Sequence, residues 1–569
     1  MKITRLLRAN CVLLPFACLA VTIPREVQRA AQTITADGLM AHIRVLASDE
    51  FEGRAPGTPG EEKTVKYLVD QFAAMGLQPG NPDGTWFQAV PLVGMTVQDP
   101  VVAYRVGDSV HELAFPGECT FWTKRVVPEV RVADSEVVFV GYGVVAPEYE
   151  WDDFKDVDVR GKTLLMLVGD PPVPDPRDET RLDDAMFKGR AMTYYGRWTY
   201  KFEIAAAKGA AAAIIVHEQG PAGYPWLVVV GSGSRENFDL AKPDRNLGRT
   251  AIEGWIPLSE AKKLCGAAGF DYDTLKKNAL NRAFRPVPLG AKMNFSLRNA
   301  IRDVASRNVV ARLEGADPKL REESVVITAH WDHLGRDPRL SGDQIYNGAL
   351  DNASGTAGLI EVARAFRESR RPPLRSVLFL AVTAEEKGLL GAQFYAENPL
   401  HPIARTVANL NMDGLNPWGR TGDLEVIGWG QNSLEDWLGE AAQSQRRTVS
   451  PDSEPEKGRY YRSDHFEFAQ VGVPALYFRG GTNALGRPVG FQRQKTEEYT
   501  ARDYHKVSDE IKPDWDLWGA AEDVQLIFQV AWRAATDPRW PEWKPGSEFK
   551  ARREAMLAPP ADETKRTAD

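Results

Sequence analysis

Cysteine is scarce, with four residues in a chain of 569. Two of these, Cys11 and Cys18, lie in an apolar N-terminal stretch, which leaves only Cys119 and Cys265 in the rest of the chain. No C-x-x-C pair occurs, so a thiolate zinc motif is excluded and any metal must be held by His and carboxylates. Whether Cys119 and Cys265 pair is open at this level. An excess of basic charge is also missing. Lys and Arg number 70 against 78 Asp and Glu, a net charge of −8, and this mild acidity offers no footprint for nucleic acid. The basic run Arg370, Arg371 and Arg375 reads as solvated surface. No apolar run beyond the N-terminus approaches a membrane span. Hydrophobic residues at 43 % and charged residues at 26 % match ordinary globular usage, which excludes a disordered, collagen-like or multi-span membrane chain.

What is present begins with a leader. Lys2, Arg5 and Arg8 precede the apolar run Cys11 to Val21, and Cys18 and Ala20 are small residues placed for cleavage after Ala20. Residues 1–20 therefore read as a signal peptide. They predict a secreted or periplasmic protein with no stable membrane span after signal removal; an N-terminal membrane anchor, or lipid attachment at Cys18, is the alternative. At roughly 150 residues per domain the length suggests about three or four units.

Leu39, Met40, Ile43, Leu46 and Ala47 form a helical stripe, followed by the Gly/Pro-rich turn Phe51 to Glu61. A second helix carries Val65, Leu68, Val69, Phe72 and Met75 on one face and stops at Gly76. From 130 to 300 the texture changes. Strands are expected at Val137 to Val145, Thr163 to Val168 and Ile214 to Val216, with an Ala-rich helix at Ala205 to Ala213 and an exposed loop at Pro171 to Pro176. This stretch reads as a smaller domain inserted into a larger one. From 305 strands and helices alternate: strands at Val325 to Thr328, Ser376 to Val382, Val407 to Met412 and Pro474 to Phe478, helices at Thr356 to Phe366, Leu389 to Glu397 and Trp515 to Ala534. The pattern predicts an α/β fold with a mixed central β-sheet flanked by helices. The division is then a signal at 1–20, a main domain in two parts at 35–129 and 305–540, a β-rich insert at 130–300, and a Pro-, Lys- and Glu-rich mobile tail at 541–569.

Chemistry-bearing residues follow the strands. His330-Trp331-Asp332 follows the first of the alternating strands, Glu385-Glu386 the second and Asp413-Gly414 the third, while Asp351 to Gly355 opens a helix and Tyr504-His505 lies before the last one. In sheets of this kind such positions converge at the carboxyl ends of the strands. Taken singly each is an ordinary polar residue. Together, two His and four carboxylates would converge, and the four carboxylates would repel one another strongly unless a cation joined them; this ligand set without thiolate suits zinc.

The ordered motifs Ala329 to Gly335, Tyr346 to Gly355, Thr383 to Glu386, Asn411 to Gly414, Ser463 to His465 and Asp503 to His505 resemble those of the co-catalytic dizinc aminopeptidase family. That family includes bacterial leucyl aminopeptidases, glutamate carboxypeptidase II, glutaminyl cyclases and the transferrin receptor. The turn at Phe51 to Glu61 resembles its N-terminal segment. The resemblance implies two Zn2+ per chain, with His330 and Asp413 on one, Glu386 and His505 on the other and Asp351 bridging them. It implies Asp332 behind His330, taking the ring's other N–H, and Glu385 as general base towards a metal-bridging water. It also implies Tyr504 as an oxyanion donor and His465 as a substrate contact, and leaves His333 in a supporting or structural place. Gly141 to Val144 and Asp158 to Lys162 resemble a protease-associated domain. The expected activity is removal of N-terminal residues from peptides. A carboxypeptidase, a glutaminyl cyclase or a non-catalytic receptor-like module are the alternatives within the fold. A carboxypeptidase would need basic residues near the metals; Arg459, Arg462 and Arg479 are candidates. Retention of all five ligand positions favours hydrolysis. Oligomeric state is not legible.

Overall fold

The computed structural model describes residues 23–558, so the signal expected at 1–20 lies outside the described residues. Among the described residues, sixteen strands join into one sheet. The strands that matter below are β1 (Phe87–Val106), β2 (Thr120–Trp122), β3 (Glu129–Phe139), β4 (Thr163–Leu167), β5 (Ala212–His217), β6 (Ile252–Pro257), β7 (Val287–Leu313), β8 (Ser324–His330), β9 (Ser376–Val382), β10 (Thr406–Asn411), β11 (Asp423–Ile427), β12 (Thr448–Pro451) and β13 (Ala475–Gly480). Their order is β12-β11-β13-β10-β8-β9-β7-β3-β4-β5-β6-β2. The sheet is mixed: β8 runs parallel to β9 and β10, whereas β7 is antiparallel to β9, β1 and β3.

The centre of this sheet is covered on both faces, which is why its strands are continuous apolar runs. Alternation still decides the face of each side chain. Val325, Ile327, Val377, Phe379 and Ala381 point into one core with helices α1 (Ala36–Leu46), α2 (Pro59–Ala74), α4 (Gly355–Glu368) and α9 (Trp518–Thr536). Val326, Leu378, Leu380 and Val382 point the other way, against α5 (Leu390–Glu397) and α7 (His465–Gln470). The remaining helices used below are α3 (Trp198–Ala207), α6 (Leu434–Ala442), α8 (Phe491–Arg502) and α10 (Lys550–Leu557).

Several expectations need correction. The helix expected at Ala205 to Ala213 lies earlier, as α3, because Ala212 and Ala213 are taken into β5 between two parallel neighbours. The boundary expected at 300–305 falls inside β7, a strand of 27 residues that pairs with β1 from Ala291 to Val309. The stretch from 541, expected to be mobile, packs as far as it is described: Trp543 and Phe549 are buried beside Tyr460 and Phe466, the Trp543 indole donates to the Gly472 carbonyl, and α10 follows. Two large aromatic side chains outweigh the polar composition around them. Arg375, taken for a surface residue, is buried, with Nε donating to Glu323 at 2.5 Å and Nη1 to the Ala534 carbonyl at 3.1 Å. Cys119 and Cys265 are free and buried, and burial pushes the Cys265 thiol up to about 11.

Candidate metal centre

The parallel register of β8, β9 and β10 sets His330 beside Val382 and Thr328 beside Asn411. The segments leaving these strands, Trp331-Asp332, Thr383 to Glu386 and Met412-Asp413, therefore emerge side by side. Asp351 reaches the same point from an irregular turn ahead of α4. Gly348 starts that turn in the left-handed region, at φ 54°, where a Cβ would run into the Asp351 carbonyl and the His333 ring. His505 comes from the loop after α8 and is itself left-handed, at φ 57°. Ala384, just ahead of Glu385, is left-handed too, at φ 52°. Strained non-glycine residues of this kind persist only where the surroundings over-determine them.

The geometry falls into two halves about Asp351. His330 Nε2 lies 3.4 Å from Asp351 Oδ1, 3.4 Å from Asp413 Oδ1 and 3.9 Å from Glu385 Oε2. His505 Nε2 lies 3.4 Å from Asp351 Oδ2 and 3.0 Å from Glu386 Oε2. Each oxygen of one carboxylate thus faces a different imidazole. The trio His330, Asp351 and Asp413 and the trio His333, Asp351 and Glu386 each bring their donor atoms within 4.8 Å of one another. His333 Nδ1 is 2.5 Å from Glu386 Oε1, so this histidine reaches the second half as closely as His505 does.

Supporting contacts fix each donor. Asp509 accepts the Leu350 and Asp351 N–H groups, each at 3.1 Å, and the Tyr499 hydroxyl at 3.0 Å. Ser463 donates to Asp413 Oδ2 at 2.6 Å and accepts from Asn411 at 2.7 Å. Tyr477 donates to the Asp413 carbonyl at 2.8 Å. Arg54 is buried and donates to the carbonyls of Leu46 (2.7 Å), Trp331 (2.9 Å), Asn347 (2.6 Å) and Gly348 (3.0 Å), which ties the His330 loop to the Asp351 turn. The roles of Arg54, Asp509, Ser463 and Tyr477 were not read from the sequence. Arg54 and Ser463 lie inside noted motifs, but their bonds span up to 294 positions and leave no local signal.

Two expectations change here. The His330 Nδ1 sits 3.1 Å from the Asp332 carbonyl oxygen and 3.7 Å from its carboxylate, so the backbone takes the ring N–H. The Asp332 carboxylate instead accepts the Glu385 and Glu386 N–H groups at 3.0 and 3.4 Å. Glu385 and Glu386 lie on one tight helical turn and face different partners. His465 is fully buried between Tyr460 and Tyr477, with ring centroids at 4.7 and 5.1 Å, and lines neither cavity at the centre, so it is not placed for substrate. Tyr504 stacks on His505 at 3.9 Å and lines both cavities.

The electrostatics show a cluster short of positive charge. Burial, opposed by His330 and reinforced by Asp413 and Glu386, raises Glu385 well above the carboxylate range. Burial lifts Asp332 to about 7 and Asp509 to about 7, in each case with a neighbouring carboxylate adding to it. Burial works against a charged His505, but Glu386 and Asp351 outweigh it and raise the imidazole to about 10. His330 and His505, both raised, thus stand in for cations that the carboxylates demand, whereas burial lowers His333. Imidazole and carboxylate donors in two trios sharing one carboxylate fit a pair of zinc-sized divalent ions.

Residues 308–528 match the model of peptidase family M28. The chain is similar to Aminopeptidase YwaD of Bacillus subtilis (strain 168), 27 % identical over 184 residues, covering 32 % of this chain and 37 % of the relative. It is also similar to a protein of Pyricularia oryzae named Probable zinc metalloprotease, 33 % identical over 195 residues, covering 32 % of this chain and 33 % of the relative. These matches span about a third of the length of either relative. Among solved structures, the aminopeptidase from Aneurinibacillus sp. strain AM-1 shares the fold, with a TM-score of 0.51 at 20 % identity over 92 % of this chain and 97 % of that one.

Proposed function

We propose that this chain, which carries a peptidase family M28 domain at residues 308–528, is an exported zinc aminopeptidase that binds two ions and removes N-terminal residues from peptides. The observation that carries the reading is Asp351, whose two oxygens face His330 and His505 separately, each at 3.4 Å. His330 and Asp413 would hold one ion, Glu386 and His505 the other, with Asp351 between them and His333 steadying Glu386. When bound, zinc supplies a Lewis acid that polarises the peptide carbonyl and favours ionisation of water.

The protein's own part is proton transfer and orientation. Glu385 takes a proton from the attacking water as its oxygen bonds the carbonyl carbon. It returns that proton to the leaving nitrogen as the C–N bond breaks. Asp332 orients Glu385 through the backbone N–H it accepts at 3.0 Å. Burial, with Asp351 and Glu386, raises the Tyr504 phenol well above its ordinary value, which keeps it a hydrogen-bond donor for the oxyanion. Donors on both sides of Asp351 argue for hydrolysis over single-zinc cyclisation, and the intact donor set argues against a receptor-like module. The leader at 1–20 supports export, and among the described residues no helix is long and apolar enough to cross a membrane.

The test is a panel of aminoacyl substrates with free and acetylated α-amines, assayed on zinc-loaded protein. Acetylation is expected to lower kcat/KM by at least about 100-fold, since it removes a cation that the acidic centre would anchor. Equal rates on both would defeat the aminopeptidase reading.

A further inference from the structure

Two cavities meet at the metal centre. One, of about 240 Å³, is lined by Asp351, Asp413, Glu425 and Tyr499 and takes only Gly223 from the 130–300 segment. The other, of about 170 Å³, lies between the centre and the 130–300 segment, whose Trp122-side neighbours Arg197, Trp198, Tyr224 and Trp255 line it. Glu385, Arg462, Tyr504 and His505 line both. A substrate whose scissile bond lies at Glu385 therefore places one side in each.

The second cavity holds two guanidiniums without a counter-ion. Among the described residues, neither Arg197 nor Arg462 has an ion pair to a carboxylate, and the Nε of each is buried with no hydrogen-bond partner. Arg462 has one bond, from Nη2 to the Ala222 carbonyl at 2.6 Å, and its guanidinium lies 4.9 Å above the Tyr224 ring. The Arg197 guanidinium lies 4.8 Å above the Trp198 ring. Burial, and then the Arg462 charge, lower Arg197 to about 10. Two other buried arginines are better satisfied: Arg54 reaches four carbonyls, and Arg375 has both a carboxylate and carbonyls. Arg553, on α10 and away from both cavities, has one carbonyl bond, to Thr406 at 2.9 Å, over the Trp540 ring. What sets Arg197 and Arg462 apart is that two such guanidiniums share one cavity at the centre. In the first cavity, Arg459 and Arg479 are likewise paired, with Asp452, Glu454 and Glu425. Two like charges held together with unmade bonds cost stability unless an anion completes them, and a planar fork matches a carboxylate.

We propose that Arg197 and Arg462 form a carboxylate-binding subsite on the leaving-group side of the centre, so that the favoured substrates carry a carboxylate on the residue after the scissile bond. A cationic N-terminus is repelled from this cavity and directed to the first, where Arg459 and Arg479 are already paired with carboxylates, which orients the peptide. The carboxylate comes from a free C-terminus, as in a dipeptide, or from an acidic side chain. This inference rests on reading the centre as peptide-hydrolysing and on the two arginines, which one part of the test isolates.

That part is calorimetric titration of zinc-loaded protein with acetyl-leucine and acetyl-leucinamide, which differ only in the carboxylate. The wild type is expected to bind the acid at least tenfold more tightly, and R197Q and R462Q to bring that ratio close to one, with R197K retaining part of it. Thermal melts identify a variant that fails to fold, in which case the other variant carries the comparison. Equal binding of acid and amide by the wild type, or an unchanged ratio in both glutamine variants, overturns the subsite whatever the protein hydrolyses. The second part compares kcat/KM for Leu-Leu, Leu-Leu-amide and Leu-Asp-amide. A preference of at least tenfold for Leu-Leu over its amide assigns the C-terminal carboxylate, and recovery in Leu-Asp-amide assigns a side chain. Hydrolysis of none of the three, with the binding ratio intact, overturns the aminopeptidase reading and leaves the subsite supported.

Discussion

Glu385 and Glu386 are adjacent in sequence and opposite in surroundings. Burial acts on both to raise them. Glu386 is met by His505 and His333, which outweigh burial and hold it well below the carboxylate range. Glu385 has only His330 against Asp413, Glu386 and Asp464, and rises. Two imidazoles neutralise one carboxylate, and the other is left short of positive charge until a cation joins it. Glu385→Gln keeps the shape but cannot accept the water's proton. It is expected to retain its zinc and lose roughly 10²–10⁴-fold in kcat. Glu386→Gln removes an anionic donor and is expected to lose zinc, with activity partly restored by added metal. Zinc content measured beside single-turnover rates decides the matter; a metal-depleted Glu385→Gln with a metal-replete, inactive Glu386→Gln would mean the roles are reversed.

At the scale of elements, the centre depends on how strands stop. β8, β9 and β10 end in register, and the left-handed Ala384 turns the chain out of β9 so that consecutive glutamates part. α7 follows Ser463, the residue that holds Asp413, and packs against the β9 face through Phe468. It also carries a costly group: burial, with Asp464, Glu397 and Glu203 adding to it, raises Glu467 to about 8. Between about 4.5 and about 8 the folded state binds more protons at this site than the unfolded chain, so its contribution to stability falls as pH rises through that window. Glu467→Gln removes the titration. Its melting temperature relative to wild type is expected to rise from pH 5 to pH 8; a difference independent of pH would contradict the assignment.

For the molecule as a whole, the long pair β1 and β7 joins the 130–300 segment to the rest of the sheet, and the second cavity exists only where the two meet. Clean removal of that segment would cut β7 itself, so point substitutions are the suitable probe of its role. The density of carboxylates at the centre also bears on global stability. A cation that binds only the folded state stabilises it by RT ln(1 + [L]/Kd), about 4 kcal/mol at a thousandfold excess over Kd. Chelation is therefore expected to lower the melting temperature and zinc to restore it, rising with the logarithm of free zinc. A melting temperature indifferent to both would count against a structural coupling of metal and fold.

Sequence alone determined the alternation of β9, α5 and β10 and the order of the motifs, because a buried strand and an amphipathic helix are written in local periodicity. The roles of individual residues at the centre were visible only through resemblance. Tertiary structure decided the rest. It placed His333 against Glu386, gave the His330 N–H to a backbone carbonyl rather than to the Asp332 carboxylate, and buried His465 among aromatics. It drew Trp543 and Phe549 of an apparently polar tail into the fold, and it left Arg197 and Arg462 without a carboxylate in one cavity. Each of these rests on contacts between residues distant in the chain, and side-chain reach, burial and charge balance are set by packing, which no local pattern records.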